Sequence, residues 1–221
     1  MAQEAIAGEL KPARKQQQRS IVTQQKLLDA AIDAFSENGF KGTSTRDIAD
    51  RAGVHHPLIT YHFKNKDQLW RAAAERIFRE FNVSLAKAMA EIPEIDAKAR
   101  AEAFVRTYVR YAHSQPALHK IILQESSHPS TRLDWLIKNH LRPLFEEVVK
   151  SIAELQRLGI APPGDPALLF NMIRVSAGGL LALAVEIKGT SNLDFNSEHA
   201  LNELSDMIIR CFFPGDANSP D

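Results

Sequence analysis

At 221 residues, with 27 Lys plus Arg against 27 Asp plus Glu, the chain can hold one large domain or a small one joined to a larger. Its net charge alone points to no polyanionic partner, and a single cysteine, Cys211, excludes an intramolecular disulfide framework and any multi-cysteine metal site. The charge is unevenly placed, however. Residues 11–70 hold ten bases against six acids, residues 1–10 hold two acids, and residues 71–221 hold 17 bases against 19 acids. A basic excess confined to one segment is expected where only that segment meets phosphate.

Residues 1–19 are polar, rich in Gln, Lys and Arg and without an apolar period, and are expected to form a disordered basic arm. They lack the continuous apolar core of a signal peptide, and the most apolar later run, Val175–Val185, is too short to span a bilayer. A soluble, cytoplasmic protein is therefore expected. Leu28, Ala31, Ile32 and Phe35 recur at i, i+3, i+4 and i+7, which predicts a helix stopping near Gly39. Ser44, with Asp47 three residues on, has the pattern of a capping box and opens a second, short helix ending at Gly53. Pro57 suits the first turn of a third.

Beyond Asp67 the segments lengthen into expected helices near 67–91, 97–114, 116–126, 130–158, 166–188 and 197–213, punctuated by prolines and glycines. Pro143 predicts a kink or split in the fourth of these. Gly178-Gly179 permits close helix approach or a bend in the fifth. The apolar setting "MIIRCFF" predicts a buried, inert Cys211 thiol. No run of strand alternation or internal repeat occurs. The fold class is all-α.

The stretch "AGVHHPLITYHFKNKDQL", Ala52 to Leu69, has helix-turn-helix proportions. On a wheel of about 100° per residue, Ile59 and Phe63 fall together and can bury against Phe35, Ile48 and Val54. Pro57, Leu58 and Tyr61 face the other way, flanked by His56, Thr60 and His62. Outward Leu58 and Tyr61 cost solubility and gain no core, whereas a DNA major groove gives them a role. Leu58 can meet a thymine methyl and His56 can hydrogen-bond base edges. Thr60, Tyr61, His62 and Lys66 would hold phosphates, as would the amides at Ser44–Arg46. Taken singly, Tyr61 or His62 is equally explained by packing against the helix beginning near Asp67. The set together favours DNA, because Ile59 and Phe63 already supply a core face. A metal site is improbable: His56 and His62 project about 240° apart, and His55 with His56 has no third ligand at a metal-binding spacing. No cofactor is expected.

The spacing F-x3-G-F-x2-T-x-x-x-I-A-x-x-A-G-V…Y-H-F-x-x-K-x-x-L within Ala30–Leu69 resembles the DNA-binding domain of the TetR family of transcriptional regulators. The resemblance covers about a fifth of the chain, and the length and helix count of the remainder also match. It implies a homodimer with an N-terminal helix-turn-helix and a C-terminal ligand-sensing and dimerisation domain, in most members a repressor released by a small molecule. Carried across by position, DNA contacts fall on Thr45, Arg46, His56, Pro57, Leu58, Thr60, Tyr61, His62 and Lys66. Two departures stand out. Thr60 replaces a common phosphate-binding Tyr, and His55 replaces the usual small N-cap.

The expected division is an arm at 1–19, a helix-turn-helix domain at 20–66, a ligand-binding and dimerisation domain at 67–215 and a disordered tail at 216–221. The helices near 166–188 and 197–213 are the natural dimer halves, with an ordinary intrachain core as the alternative. Phe104, Tyr108, Ile122 and Trp135 are candidate ligand contacts by their place on the middle helices. His113, His119, His128 and His140 are expected in solvated or capping roles. The partners implied are an inverted-repeat DNA operator and a small-molecule effector of unspecified chemistry. The rival is an architectural or cell-division factor that uses the same DNA-binding fold to recruit a protein partner. An enzyme is disfavoured, because no nucleophile–base motif, phosphate loop or metal spacing occurs.

Overall fold

The computed structural model describes residues 2–214, with side chains from residue 16 onward, and among these residues every regular element is helical. Two compact units divide the chain, residues 1–76 and residues 77–221. The expected tail at 216–221 lies outside the described residues.

The first unit opens with α1, Ala2–Gly42, interrupted at Gly39, whose φ of 68° ends the helix proper. The segment expected as a disordered arm, from Ala2 to Arg19, instead has helical backbone. Farther along α1, Leu27, Ala30, Ala31, Ala34 and Phe35 are buried, as the 3.6-residue period requires.

α2, Thr45–Ala52, is capped by Ser44, whose hydroxyl accepts from the Asp47 amide at 3.0 Å. Asp47 does not complete a capping box; its carboxylate pairs with Arg51 at 3.2 Å. Gly53 ends α2 in the left-handed region, φ 64° and ψ 37°, where a Cβ would be strained. α3, Pro57–Phe63, follows after the turn and buries Ile59 and Phe63, together with Ile48 and Ala49 of α2. Each large apolar side chain so buried contributes about 1.5–3 kcal/mol. The Thr43 hydroxyl, itself buried, lies 2.9 Å from Ala34 O and 2.8 Å from Gly39 O, fixing the corner after α1.

α4, Lys66–Met89, begins in the first unit and ends in the second. The second unit continues with α5, Ala97–Ser114; α6, Ala117–Ser126; and α7, Thr131–Leu136. A π-helical stretch, Ile137–Leu141, joins α7 to α8, Arg142–Arg157. The expected break at Pro143 thus takes the form of a widened turn just before the proline, whose ring and missing N–H disrupt the preceding i→i−4 ladder. α9, Pro166–Arg174, passes into a second π stretch, Val175–Gly179, then a short turn, α10, Leu180–Ala182. α11, Ala184–Ser191, leaves that helix at 74°, so the expected single helix at 166–188 is bent as well as widened. α12, Glu198–Phe212, ends the described chain. No single helix among the described residues is long and apolar enough to cross a membrane.

Cys211 corrects an expectation: it is exposed, not buried. The buried stripe of α12 runs through Leu201, Leu204, Ser205 and Ile208, and Cys211 falls at its margin near Met207, also exposed.

Candidate functional site

The residues expected to meet DNA are gathered at the helix-turn-helix. Pro57, Thr60, Tyr61 and His56 are exposed on α3 and its approach, while Ile59 and Phe63 are buried. Tyr61 is 75% exposed. Leu58 and His62 are half-buried, and the edge of the Tyr61 ring meets the His62 ring at 4.9 Å. Partial burial lowers the pKa of His62 from its ordinary value, which favours a neutral imidazole and a neutral hydrogen bond to any anion. On α2, Arg46 is exposed and Thr45 half-buried.

Two contacts order this surface beyond what the sequence indicated. His56 Nε2 and Thr45 Oγ1 stand 2.9 Å apart, tying the start of α3 to the first residue of α2. The Lys66 ammonium sits 4.3 Å from the centre of the Phe40 ring, a cation–π contact that holds it beside the end of α1. The start of α3 is also settled. Leu58 and Ile59 amides donate to the carbonyls of His55 and His56, at 2.9 and 3.0 Å, and no side chain caps the helix. Lys64, with φ 66°, closes α3 through its amide to Thr60 O. Asn65 Oδ1 then accepts from the Gln68 amide at 2.9 Å, starting α4. Among the described residues no cluster of three or more His, Cys, Asp or Glu could hold a metal ion.

The second unit holds a partly open cavity of about 360 Å³. Of the four candidate ligand contacts, Tyr108 and Ile122 line it. Phe104 lies one ring behind and Trp135 two: Phe104 stacks on Tyr108 at 6.0 Å, and Trp135 meets His140, whose ring stacks on the lining Phe78 at 4.5 Å. Phe81, Phe145 and Phe170 supply more of the wall, and Ser126, Arg142, Asn171 and Arg174 its polar groups. The arginines were not picked out from the sequence. Arg174 did carry a signal, as the one charge within the apolar run Pro166–Val185 before Glu186, had that helix been read as a cavity wall.

His119 also corrects an expectation. It is only 7% exposed, and its Nε2 lies 2.7 Å from the Tyr108 hydroxyl. Burial, and secondarily the charge of Arg174, lower its pKa to about 4. Burial raises the pKa of Tyr108 against a smaller opposing effect of Arg174, so both groups are neutral at neutral pH. Gly178 makes room for this ring: a Cβ there would stand 1.7 Å from His119 Nε2.

Residues 27–80 match the model of the bacterial regulatory proteins of the tetR family. The chain is 24% identical over 208 residues to the HTH-type transcriptional regulator RutR of Escherichia coli K12, covering 94% of this chain and 97% of that one. It is 28% identical over 123 residues to IcaR of Staphylococcus epidermidis, the HTH-type negative transcriptional regulator of the biofilm operon icaADBC, covering 51% and 66%. AibR, solved with isovaleryl coenzyme A and operator DNA, superposes with a TM-score of 0.70 at 16% identity, covering 87% of this chain and 98% of that one. At that identity the likeness is one of fold.

Proposed function

This chain belongs to the TetR family of bacterial transcriptional regulators, and on that premise we propose that it is a cytoplasmic, homodimeric repressor released from an inverted-repeat operator by a small molecule. A DNA-binding regulator rather than an enzyme is the family's character. The observation that carries the finer proposal is the outward face of α3, where His56, Pro57, Thr60 and Tyr61 are exposed over a core already closed by Ile59 and Phe63. Such a helix reads only a few base pairs, so specificity needs two copies set about one helical turn apart. His56 and Leu58 read bases; Thr45, Arg46, Pro57, Thr60, Tyr61, His62 and Lys66 position the backbone.

The effector enters the cavity lined by Tyr108 and Ile122, with Phe104 and Trp135 supporting its wall. A cavity of about 360 Å³ with few polar groups has the size and character of a ligand site, which favours release by a small molecule over recruitment of a protein partner. α4 is the covalent link, running unbroken from Lys66, next to the recognition helix, to Phe78 and Phe81 in the cavity wall.

The test is binding of the purified chain to DNA selected from its own genome. A dimer seated on an inverted repeat, with affinity lost in Tyr61→Ala, is expected. A monomer holding a single half-site with full affinity defeats the proposal. Effector and operator must also oppose one another equally: a coupling of about 1–3 kcal/mol changes each affinity by roughly 5–150-fold, in both directions of titration. Equal effector affinity in the free and DNA-bound protein defeats the release mechanism.

A further inference from the structure

The cavity of the second unit is electrically unbalanced. Its wall carries two guanidinium groups, Arg142 and Arg174, and no carboxylate; its other polar side chains, Tyr108, Ser126 and Asn171, are neutral. Arg174 donates from Nη2 to the neutral Asn171 Oδ1 at 3.2 Å, while its Nε is buried with no hydrogen-bond partner among the described residues. The nearby Arg132 differs: it is paired with the buried Glu125 at 2.9 Å. A guanidinium nitrogen withdrawn from water and left unmatched is costly, and the charge-assisted bond that offsets the cost is to an anion. The charge of Arg174 also acts on Tyr108 and His119, neither of which neutralises it. The remaining wall, including Phe81, Leu118, Ile122, Phe145 and Phe170, is apolar.

We propose that this cavity takes a monocarboxylate with an apolar body, linear or aromatic, its carboxylate on Arg174 and its body among the phenylalanines. The planar fork of Arg174 fits a carboxylate through paired N–H donors, while Asn171 steadies the guanidinium from the side. The exposed Arg142 adds long-range attraction at the same wall. The inference rests on this cavity being the effector site of the proposed repressor.

Calorimetry on the full chain with matched pairs tests it: decanoate against decan-1-ol, and 4-phenylbutyrate against 4-phenylbutan-1-ol. At least one acid is expected to bind about tenfold or more tighter than its alcohol, the scale of a charge-assisted hydrogen bond. Arg174→Gln keeps a polar group near Asn171 and is expected to bring the acid to the affinity of the alcohol while leaving the alcohol within about twofold. Should Arg174→Gln fail to fold, the acid–alcohol comparison on the unaltered chain still decides. Alcohols that bind as well as acids in both pairs overturn the proposal, as does an Arg174→Gln protein that keeps full acid affinity. Acid titrated into the operator complex is a separate readout. Tight binding without operator release upholds the ligand class and overturns the release mechanism.

Discussion

Tyr108 Oη and His119 Nε2 stand 2.7 Å apart with both side chains buried, so α5 and α6 are joined by a hydrogen bond between two neutral groups. With the imidazole neutral, the phenol O–H can donate to Nε2; protonation removes that acceptor and places a charge near Arg174. Gly178 fixes the same ring from the second π stretch, where no Cβ is tolerated. Three elements thus meet at one histidine beside the cavity.

Stability should therefore depend on pH through His119. Its folded pKa of about 4 lies below an unfolded value of about 6.5, so the unfolded chain binds the proton more readily. The stabilisation is fully present above the unfolded value and is lost as pH falls through the window from about 6.5 to about 4. The gap corresponds to roughly 3 kcal/mol. Urea unfolding at pH 7.5 and pH 5 should show a fall that His119→Leu abolishes in part. An unchanged pH slope in that variant would mean that other groups carry it.

Gly178→Ala should be destabilising by about 1–3 kcal/mol, because the new methyl group collides with a ring that its hydrogen bond to Tyr108 holds in place. Removing the ring relieves the collision. The double variant Gly178→Ala with His119→Ala is accordingly expected to lose less stability than the two single losses added. Strict additivity of the melting data would show that the ring moves aside freely.

The helix-turn-helix was legible because its signals are local. Ile59 and Phe63 are one turn apart on a short helix, Gly53 marks a left-handed turn and Ser44 a cap, and each acts within a few residues of chain. The break before Pro143 and the widening at Gly178-Gly179 were legible for the same reason, but their form was not, since a π-helical turn reflects how neighbouring helices are accommodated; the 74° bend falls later, between Ala182 and Ala184. The cavity was harder still. Tyr108 and Ile122, expected as ligand contacts by their place on the middle helices, do line the cavity, but Arg174 needed knowledge of which side of α9 faces it. His119 was misjudged because a histidine's burial is set by what packs over it, here Gly178, 59 residues away.

Positioning and reading should separate at the DNA surface. If Lys66 holds a phosphate as proposed, Lys66→Ala should weaken all DNA sites alike and reduce the salt slope by about one. It should also cost a few tenths to about 1 kcal/mol of stability through the lost contact with Phe40. His56→Ala should instead flatten preference at one or two base positions, at about 1–3 kcal/mol per lost contact. Thr45→Val, which removes the hydroxyl that holds His56, should reproduce part of that flattening without touching a base. Uniform losses in all three variants, measured by competition among operator mutants, would remove His56 from the reading face.

The proposed homodimer needs a face by which two chains could meet. Leu168, Met172 and Val175 follow one another at i, i+4 and i+7 along α9 and the start of its π stretch, and they are 62%, 49% and 58% exposed. On α12, Met207 and Cys211 are exposed as well. Large apolar side chains ranged along one helix face gain nothing from water, and covering them removes apolar area at about 25 cal/mol per Å². A second copy of this chain, applying the same stripe about a two-fold axis, covers both stripes at once. A glutamate in the middle of that stripe would bring two like charges together in an apolar contact, a desolvation cost with no compensating partner. Met172→Glu is therefore expected to shift the protein from dimer to monomer in sedimentation analysis while leaving its helical circular dichroism unchanged. The monomer should keep weak half-site binding and lose the tight complex with the full inverted repeat. Arg210→Glu, an exposed charge reversal on α12 nearer the helix end, is the control for charge change alone. A Met172→Glu protein that remains dimeric and binds the full operator normally would place the interface elsewhere on the second unit.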